Sequence, residues 1–418
     1  MAMKDYYDIA IVGAGHAGVS VATHLVKGGY EGSVALLSTE ATLPYKRPPL
    51  SKGYLLGTES VDDLPLRSAE YWNESAADLI LDAAVTHVDP RLHTLKTVRG
   101  DVRYGRLVWT AGGRARSLPT PGVDLSGVYQ MRSLEDAERL KAELGSAGRA
   151  VVVGAGYIGL EMASALVGLG LDVTVAEAGQ RVLERVTGRT VSEFFERVHV
   201  RAGVDLRLQT IATAFNGVDD RVVSATLSDG SEVACDVVVL GVGMQANCEV
   251  LAAAGAAIGS GVEVDEMGRT SLEGVWAAGD CTHQIHPYAR GQRVRLESVQ
   301  NANDQAKVVA SDLLGEPAAS DEVPWFWSDQ YSIKFKSAGI RNGYDTVITR
   351  GDPSTEAFSV LYLAGRQLVA IDCVNRPSDF AQGRALIKRG GIAEHVDFSD
   401  LGQPLKAAEG VVAGASEV

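Results

Sequence analysis

Short runs of β-branched and other apolar residues alternate along the chain with segments whose apolar residues recur at helical spacing. The segment DIAIVGAGHAGVSVATHL, which starts at Asp8, contains an apolar run, a glycine cluster and then a helical pattern. The segment AVVVGAGYIGLEMASAL, which starts at Ala150, repeats this order. A strand, a glycine-rich turn and a helix open a βαβ unit, so the repeat predicts two nucleotide-binding βαβ units in one chain.

The remaining segments give weaker but readable patterns. Residues 111–121 are typical of a turn-rich connection, and residues 134–144 predict an amphipathic helix. Residues 275–280 predict a buried strand that ends in Gly-Asp, and a helix is expected from Glu297 to about Leu314. Beyond a Pro/Ala-containing stretch near residue 318, several strand-length runs and a final helical segment predict a small additional domain.

These patterns predict an α/β protein with two Rossmann-like dinucleotide-binding domains and a C-terminal α+β domain. Residues 1–115 and 243–320 should form the first dinucleotide-binding domain in two parts, residues 116–242 the second, and residues 321–418 the C-terminal domain. The length of 418 residues supports several domains, because single hydrophobic cores stop growing near roughly 250–300 residues.

The first glycine cluster has the spacing GxGxxG, with Gly13, Gly15 and Gly18. In such a turn, side chains would keep a pyrophosphate away from the helix N-terminus, where unpaired amides and the helix dipole favour anions. An acidic residue that binds ribose hydroxyls should follow the next strand, and Glu40 stands at a suitable distance. The combination favours a dinucleotide site over a purely structural tight turn.

The second cluster, Gly154, Gly156 and Gly159, has the same spacing, and Glu177 follows it at the end of the next strand-like run. A carboxylate there accepts hydrogen bonds from ribose hydroxyls and repels a 2′-phosphate, so NADH should be preferred over NADPH. Arg181 and Arg185 follow closely and leave some capacity for the extra phosphate. Two dinucleotide sites in one chain suggest a resident flavin and a visiting nicotinamide, since hydride transfer requires both.

Charge and cysteine content exclude several classes of function. The formal net charge of −14 argues against general nucleic-acid binding, which requires concentrated Lys and Arg. The four cysteines, Cys235, Cys248, Cys281 and Cys373, form no CxxC pair, so neither a metal site nor a dithiol centre is expected. No apolar run reaches the ~20 residues that cross a bilayer, and no basic region followed by an apolar stretch opens the chain, so we expect a cytoplasmic protein.

These motifs resemble those of flavoprotein reductases with two dinucleotide-binding domains and a glutathione reductase-like fold. More specifically, the chain resembles the NADH-dependent ferredoxin reductases of bacterial oxygenase systems over about residues 8–389. The segment LPYKRPPLSKGYL, with Arg47 and Lys52, and the segment VWAAGD, with Gly279 and Asp280, support the resemblance. In that family the first unit holds FAD and the second holds NADH, so the resemblance implies both cofactors.

The resemblance also implies which residues bind each cofactor. Those expected at FAD are Gly13, Gly15, Ala17, Gly18, Glu40, Arg47, Lys52, Ala111, Gly112, Gly279, Asp280, Ser298, Val299 and Trp327. Those expected at NADH are Gly154, Gly156, Tyr157, Ile158, Gly159, Glu177 and Arg185.

Lys52, Glu161 and Tyr157 are candidates for a direct part in catalysis. The family pattern implies that Lys52 and Glu161 form an ion pair beside the flavin, where the ammonium would stabilise negative charge on the reduced ring. A structural salt bridge is the alternative for this pair. Tyr157 would shield the flavin until NADH displaces it, or would simply pack between helix and sheet. Trp327 would lie near the flavin or, alternatively, in a core.

The resemblance further implies that the protein is a ferredoxin–NAD(+) reductase, whose partner is a two-iron two-sulfur ferredoxin that feeds a haem monooxygenase or a ring-hydroxylating dioxygenase. An acidic ferredoxin would dock on basic residues. The best cluster is Arg290, Arg293 and Arg295, and Lys388 and Arg389 form another. An ordinary solvated surface is the alternative for each of these residues. The sequence leaves the oligomeric state open between monomer and homodimer.

Other functions of the same fold remain open at this point. A disulfide reductase would need a cysteine in the segment LPYKRPPLSKGYLLG, which contains none. An NADH oxidase or quinone reductase would use the same motifs. An FAD-binding redox-signalling protein would be expected to add a basic or targeting segment, and we find neither.

Overall fold

A computed structural model describes residues 3–392 and 397–407. The predicted C-terminal domain extends to residue 418, so residues 393–396 and 408–418 of that prediction lie outside the described ranges. The helices are α1 (His16–Lys27), α2 (Ala69–Glu74), α3 (Leu134–Leu144), α4 (Tyr157–Gly168), α5 (Arg189–Arg201), α6 (Glu249–Ala253), α7 (Val299–Leu313) and α8 (Pro377–Lys388). Within these ranges, no helix combines the length and the apolar character needed to cross a membrane.

The strands occupy the segments between these helices and are short, as expected for twisted α/β sheets. They are β1 (Tyr6–Val12), β2 (Val34–Leu37), β3 (Ala77–Ile80), β4 (Val85–Asp89), β5 (Thr94–Thr97), β6 (Gly100–Trp109), β7 (Gly113–Ala115), β8 (Val128–Gln130), β9 (Arg149–Val153), β10 (Asp172–Ala176), β11 (Asp205–Arg207), β12 (Ala212–Val218), β13 (Arg221–Leu227), β14 (Glu232–Ala234), β15 (Val237–Leu240), β16 (Met244–Ala246), β17 (Val262–Val264), β18 (Val275–Ala277), β19 (Thr282–Ile285), β20 (Arg293–Val294), β21 (Trp325–Gln330), β22 (Ile333–Gly339), β23 (Thr346–Asp352), β24 (Ala357–Ala364) and β25 (Gln367–Val374).

The chain forms two compact units, each made of separate stretches of sequence. The first unit comprises residues up to 46, 62–114 and 245–326. The second comprises residues 47–61, 115–244 and the chain from 327 onward. Segment 47–61 therefore belongs to the second unit, and the predicted domain limits stay a prediction.

The first unit is built on a sheet with the strand order β3-β2-β1-β6-β5-β4, to which β18 adds by pairing with β6. Strands β3, β2, β1, β6 and β18 run parallel, whereas β4, β5 and β6 form an antiparallel meander. Apolar residues on both faces are buried: Ile9 and Ile11 pack with residues of α1 and α7, and Ala10 and Leu107 pack in the cluster on the other side. A parallel sheet needs such cover on both faces.

The second unit contains a parallel sheet with the order β11-β10-β9-β15-β8. Helix α4 follows β9 just as α1 follows β1, so both predicted βαβ units are present. The helix predicted over residues 134–144 is α3, and it begins at a capping box in which the Ser133 side chain accepts a hydrogen bond from the Asp136 N–H.

The C-terminal part of the second unit is an antiparallel sheet with the order β21-β22-β25-β24-β23. Helix α8 packs against β22 and β25. Along β21, Ser328 and Gln330 are buried while Trp327 and Asp329 are more exposed, as the two-residue period of a strand requires. The second unit therefore presents the polar side chains of Ser328 and Gln330 to its own interior at this strand.

Candidate functional site

The first glycine turn joins β1 to α1 and is shaped by its own backbone. A Cβ placed on Gly18 would lie 1.9 Å from the Gly13 carbonyl oxygen, and one on Gly13 would lie 2.4 Å from that of Thr110. Gly13 also has a φ of +105°, which side chains rarely adopt. Gly13 and Gly18 are thus required by the close packing of strand and helix.

Gly15 differs from these two glycines because packing does not require it. Among the described residues, no atom lies within 4 Å of a Cβ placed on Gly15. Gly15 is the N-cap residue of α1 and has φ −81°, a value open to any residue. The space before the helix N-terminus is therefore clear, and its backbone amides and dipole suit a diphosphate. This turn fits the pyrophosphate of a dinucleotide.

The other predicted FAD segments end at the same edge of the sheet. Gly15, Gly112, Gly279 and Glu40 all lie just beyond the carboxyl ends of parallel strands β1, β6, β18 and β2. Ligands of open α/β sheets bind at this edge. The fold of the first unit thus brings together segments that are up to 266 positions apart in sequence, from residue 13 to residue 279.

The segment after β18 packs directly on the first glycine turn. A Cβ on Gly279 would lie 3.0 Å from the Ala17 Cβ in the first turn of α1. The Gly279 N–H donates to Gln305 Oε1 at 2.7 Å, which fixes the loop that carries half-buried Asp280. Ala17, Gly279 and Asp280, all predicted at FAD, therefore lie close together.

The remaining predicted FAD residues of the first unit occupy defined positions. The Tyr45 hydroxyl donates to Glu40 Oε2 at 2.5 Å and orients this half-buried carboxylate. Ser298 is the N-cap of α7, and its side chain accepts a hydrogen bond from the Asn301 N–H at 3.1 Å. The helix expected from Glu297 thus begins at Val299, and backbone amides of Val299 belong to its first turn.

The second glycine turn repeats the geometry of the first. A Cβ on Gly159 would lie 1.9 Å from the Gly154 carbonyl oxygen, and one on Gly154 would lie 2.6 Å from that of Gly241. In the part of the chain that the structure describes, a Cβ on Gly156 would meet no atom within 4 Å. Ile158, in the first turn of α4, is 43% exposed. The second turn also fits a dinucleotide.

Glu177 and Arg185 lie at the rim of this second turn. Glu177 follows β10, and its Oε2 and Oε1 accept hydrogen bonds from the backbone N–H groups of Ala155 (2.5 Å) and Gly179 (2.7 Å). Arg185 is exposed, and its Nη2 would be 3.8 Å from a Cβ on Gly243, in the loop after β15. Both residues are therefore near the carboxyl ends of the central strands.

Arg181, the other arginine considered for a 2′-phosphate, is engaged within its own loop. Its Nη1 donates to the Thr187 carbonyl at 3.0 Å and to Ser192 Oγ at 2.5 Å, and its Nη2 donates to the Glu184 carbonyl at 2.8 Å. Binding a phosphate would require breaking these bonds. This favours the expectation that NADH is preferred over NADPH. Of the two arginines considered for a 2′-phosphate, Arg185 is the one that could still bind it.

The predicted ion pair between Lys52 and Glu161 is present within the second unit. Lys52 Nζ lies 2.6 Å from Glu161 Oε2, which also accepts a hydrogen bond from Ser51 Oγ at 2.9 Å. The other carboxylate oxygen, Oε1, accepts from Ser328 Oγ at 2.7 Å. Glu161 is only 2% exposed because α4 is apolar on most of its surface and is buried. Burying a carboxylate is costly unless such donors and a cation compensate it.

Tyr157 lies one helical turn before Glu161 on α4. Burial raises the pKa of the Tyr157 hydroxyl well above its usual range, the nearby carboxylates of Asp372 and Glu161 raise it further, and the Arg341 guanidinium opposes them. The ring centroid is 6.0 Å from that of Phe335 on β22. The three candidate catalytic residues are thus brought together, and whether Tyr157 acts as a gate stays a prediction.

Arg47 and Trp327, predicted at FAD, both belong to the second unit. Arg47 Nη1 donates to the Arg132 carbonyl oxygen at 2.8 Å, so part of its hydrogen-bonding capacity holds segment 47–61 in place. Trp327 is partly buried on β21, on the opposite face of the strand from Ser328. Their contacts with FAD stay predictions.

The cysteines do not form a redox centre within the described ranges. All four are free, and Cys235, Cys281 and Cys373 are buried. Cys281 directly follows Asp280, but burial raises the pKa of its thiol to about 12. A thiol that stays protonated is a poor nucleophile. The residues therefore do not support a disulfide-exchange mechanism.

The basic residues predicted to dock a partner fall into two groups. Arg293 Nη1 donates to two backbone carbonyl oxygens of its own unit at 3.0 Å each, and Arg295 is 17% exposed and lies 2.7 Å from Glu297. Arg290, Lys388 and Arg389 are exposed. Arg293 and Arg295 thus contribute to local structure, which makes the exposed three the better probes of docking.

Sequence reasoning missed some residues that the structure places at these sites. Gly241 completes the second turn, because a Cβ on it would lie 2.9 Å from the Gly159 Cα. The internal repeat was the available signal, since GVG directly after β15 stands where TAG, residues 110–112, stands directly after β6. Ser51 and Ser328, which hold Glu161, gave no recognisable pattern.

Comparison with known proteins agrees with this arrangement. Residues 7–306 match the pyridine nucleotide-disulphide oxidoreductase family, and residues 325–409 match the reductase C-terminal family. The ferredoxin reductase subunit of 5,5′-dehydrodivanillate O-demethylase from Sphingobium sp. is 43% identical over 97% of this chain and 100% of its own length.

Two solved structures extend the comparison to the fold. The ferredoxin reductase for the CYP199A2 system from Rhodopseudomonas palustris has a TM-score of 0.93 at 37% identity, covering 97% of this chain and 100% of that chain. Putidaredoxin reductase, solved in covalent complex with putidaredoxin, has a TM-score of 0.92 at 36% identity, covering 97% of this chain and 98% of that chain.

These similarities confirm the predicted fold class and the resemblance on which it rested. Reductases of this kind use FAD and NAD(P)H, so the expectation of a flavin and a nicotinamide cofactor is confirmed, and the protein is an oxidoreductase. The individual site residues, the domain limits and the choice of NADH over NADPH remain predictions. The chain belongs to the pyridine nucleotide-disulphide oxidoreductase family and, within it, to the ferredoxin reductases.

Proposed function

We propose that the protein transfers electrons from NADH through FAD to a two-iron two-sulfur ferredoxin, which in turn supplies a haem monooxygenase or a ring-hydroxylating dioxygenase. The observation that carries the proposal is the pair of glycine turns whose central positions, Gly15 and Gly156, open into clear space. Two open diphosphate sites in one chain suit two dinucleotides. The relatives named for a demethylase and for putidaredoxin support the kind of acceptor.

Residues 1–115 and 243–320 are proposed to hold FAD, with the pyrophosphate at the N-terminus of α1. Glu40 would accept hydrogen bonds from the adenosine ribose, and Asp280 would accept one from the ribitol chain. Ser298 and Val299 would direct the N-terminus of α7 at the flavin, while Arg47 would neutralise phosphate. When bound, FAD accepts two electrons from NADH and releases them singly.

Residues 116–242 are proposed to hold NADH, with the pyrophosphate at the N-terminus of α4. Glu177 would bind the adenosine ribose hydroxyls and exclude a 2′-phosphate by charge repulsion. Each carboxylate oxygen of Glu177 accepts only one backbone hydrogen bond. A carboxylate oxygen has two lone pairs, so each oxygen can accept a further hydrogen bond from the ribose. Ile158 and Arg185 would complete the rim.

The Lys52–Glu161 pair is proposed to act on the flavin. The Lys52 ammonium would stabilise negative charge, and Glu161 would keep this partly buried cation compensated while the flavin is oxidised. The burial and the short 2.6 Å separation support this role, because charges interact strongly where water is excluded. Tyr157 would cover the reactive face of the flavin until NADH binds, and Trp327 would shield the flavin from oxygen.

Docking of the ferredoxin is proposed to use Arg290, Lys388 and Arg389, with Arg293 and Arg295 shaping the surface near Arg290. Exposed cations steer an acidic partner and raise its association rate. The overall negative charge of the chain makes a local basic surface necessary for this.

The proposal is tested by reducing the flavin-loaded protein with NADH under anaerobic conditions and adding two-iron ferredoxins, quinones or oxygen as acceptors. We expect rapid reoxidation by at least one ferredoxin and slow reoxidation by quinones and oxygen. Faster reaction with a quinone or with oxygen than with every ferredoxin would favour the oxidase or quinone reductase alternative and contradict the proposal.

The docking residues are tested with Arg290→Glu and Arg389→Glu. Each should raise the KM for the ferredoxin without changing NADH-to-ferricyanide turnover. Arg91→Glu, at an exposed loop position, is a matched control that should leave both unchanged. An equal loss with ferricyanide and ferredoxin would argue against a docking role.

A further inference from the structure

A hydrogen-bond network of buried polar side chains extends from Glu161 through the interior of the second unit. Ser328 Oγ lies 2.7 Å from Glu161 Oε1, and Gln330 Nε2 lies 3.2 Å from Ser328 Oγ. Gln330 Oε1 is 2.8 Å from His199 Nε2, and His199 Nδ1 is 3.2 Å from the Tyr331 hydroxyl. Ser328, Gln330 and His199 are at most 1% exposed, whereas Tyr331 reaches the surface with 37% exposure.

The direction of every hydrogen bond in this network follows from the carboxylate of Glu161 at its inner end. An ionised carboxylate only accepts, so the Ser328 hydroxyl donates to Glu161 and must itself accept from the Gln330 amide N–H. The Gln330 carbonyl oxygen then faces His199, so His199 carries its proton on Nε2 and donates it. His199 Nδ1 is left as an acceptor, and the Tyr331 hydroxyl donates to it.

Charge and burial are consistent with this direction. Burial lowers the pKa of His199 to about 4, so its ring is neutral near pH 7 and has one N–H to donate. All four bonds point their hydrogens toward Glu161. Dipoles aligned head to tail reinforce one another in a medium of low dielectric constant, and their positive ends converge on the carboxylate.

The network is better suited to stabilising the negative charge of Glu161 than to transferring a proton. A hydroxyl or an imidazole can pass a proton on, but the Gln330 amide donates from nitrogen and accepts on oxygen. Transfer through it would require an unfavourable amide tautomer. The network therefore acts on Glu161 electrostatically, as a fixed set of dipoles.

We infer that Ser328, Gln330 and His199 are positioning residues that hold Glu161 as a buried anion and thereby keep the Lys52 ammonium at Glu161 Oε2. Without Ser328, Oε1 would have no donor among the described residues, while Ser51 and Lys52 both act on Oε2. The network joins α4 and α5 to β21. Its effect on the flavin rests on the proposed function of the Lys52–Glu161 pair.

The direction of the network is tested by ¹⁵N NMR of histidine-labelled, flavin-loaded protein, with His199→Gln to assign the signal. We expect the neutral Nε2–H tautomer for His199, and a loss of this strict preference in Gln330→Met, where the acceptor is gone. An Nδ1–H tautomer or a protonated ring in the wild type near pH 7 would overturn the inference whatever the enzyme's acceptor.

The effect on the pair is tested by the midpoint potential of bound FAD. Glu161→Gln should move it to a more positive value, because an uncompensated ammonium favours the reduced, more negative flavin. Ser328→Ala and Gln330→Met should shift it in the same direction by a smaller amount, and Ser328→Thr, which keeps the hydroxyl, should restore the wild-type value. Retained FAD and an unchanged circular dichroism spectrum verify folding of each variant.

Ser359→Ala provides the matched control, because Ser359 is a buried serine of the same sheet that donates to another buried carboxylate, Asp379, at 3.0 Å. It should leave the potential unchanged. A shift in Glu161→Gln with none in Ser328→Ala and Gln330→Met would refute the positioning network and leave the pair's role intact. No shift in any variant, Glu161→Gln included, would instead refute the proposed role of the pair.

Discussion

Replacing Gly156 by alanine should weaken the binding of NADH without weakening the fold. Gly156 is the N-cap residue of α4, with φ −76°, and a Cβ there meets no described atom within 4 Å. Alanine adopts this conformation without strain. The added methyl group would point into the clear space before the helix N-terminus, where we place the pyrophosphate.

The expected loss follows from the bonds that the phosphate would no longer make. A hydrogen bond to a charged group contributes about 1.5–3 kcal/mol. Because 1.4 kcal/mol corresponds to a factor of ten, losing one such bond should raise the Kd for NADH about 10- to 100-fold. Gly159→Ala should behave differently, since its Cβ would lie 1.9 Å from the Gly154 carbonyl oxygen. That clash should destabilise the fold by on the order of 3 kcal/mol.

The assay combines titration of the flavin-loaded protein with NAD⁺, steady-state kinetics with NADH and unfolding in urea. Gly145→Ala is the matched control, because Gly145 is the C-cap residue of α3 with φ −65° and its Cβ would likewise meet no described atom within 4 Å. It should change neither affinity nor stability by much. An unchanged Kd in Gly156→Ala, with the fold intact, would refute our placement of the nucleotide.

Three further predictions concern charge and reactivity. Burial lowers the pKa of His199 from 6.5 to about 4, so between these values the unfolded chain binds a proton that the native state does not. The free energy of unfolding should therefore fall by about 2 kcal/mol from pH 7.5 to pH 5 through this group alone, and a His199→Gln variant whose urea midpoints showed the same pH slope would contradict this. Glu177→Gln should lower the ratio of kcat/KM for NADH over NADPH about tenfold by removing charge repulsion, and an unchanged ratio would show that Glu177 does not select the cofactor. Cys281 should resist alkylation in the native protein both before and after reduction by NADH, as mass spectrometry would report, and labelling that appears only after reduction would revive a thiol mechanism.

Local patterns were sufficient to predict the elements that local chemistry determines. The helix predicted over 134–144 has these bounds in the structure, and it begins at Leu134 because Ser133 and Asp136 cap its N-terminus reciprocally. The two glycine turns were recognisable because strand, glycine spacing and helix are contiguous. The helix expected from Glu297 begins two residues later, at Val299, since Ser298 caps it.

The features that could not be predicted from the sequence depend on contacts between residues far apart in the chain. Glu161 and Ser328 are 167 positions apart, and neither Ser328 nor Gln330 differs from an ordinary strand residue until the fold brings β21 against α4. Lys52 and Glu161 were paired from the family pattern alone, at a separation of 109 positions. The meander of β4, β5 and β6 was not predicted, because its register depends on tertiary pairing.

The assignment of segment 47–61 to the second unit has a consequence for recombination between relatives. In a chimera that exchanged only residues 116–242, Glu161 would come from one parent. Its partners Ser51, Lys52 and Ser328 would come from the other parent. Any mismatch there would leave a carboxylate without its partners inside the protein, a cost that sequence identity at the glycine turns would not reveal. Three segments should therefore be exchanged together. Residues 47–61 and the strand that begins at Trp325 should come from the same parent as α4.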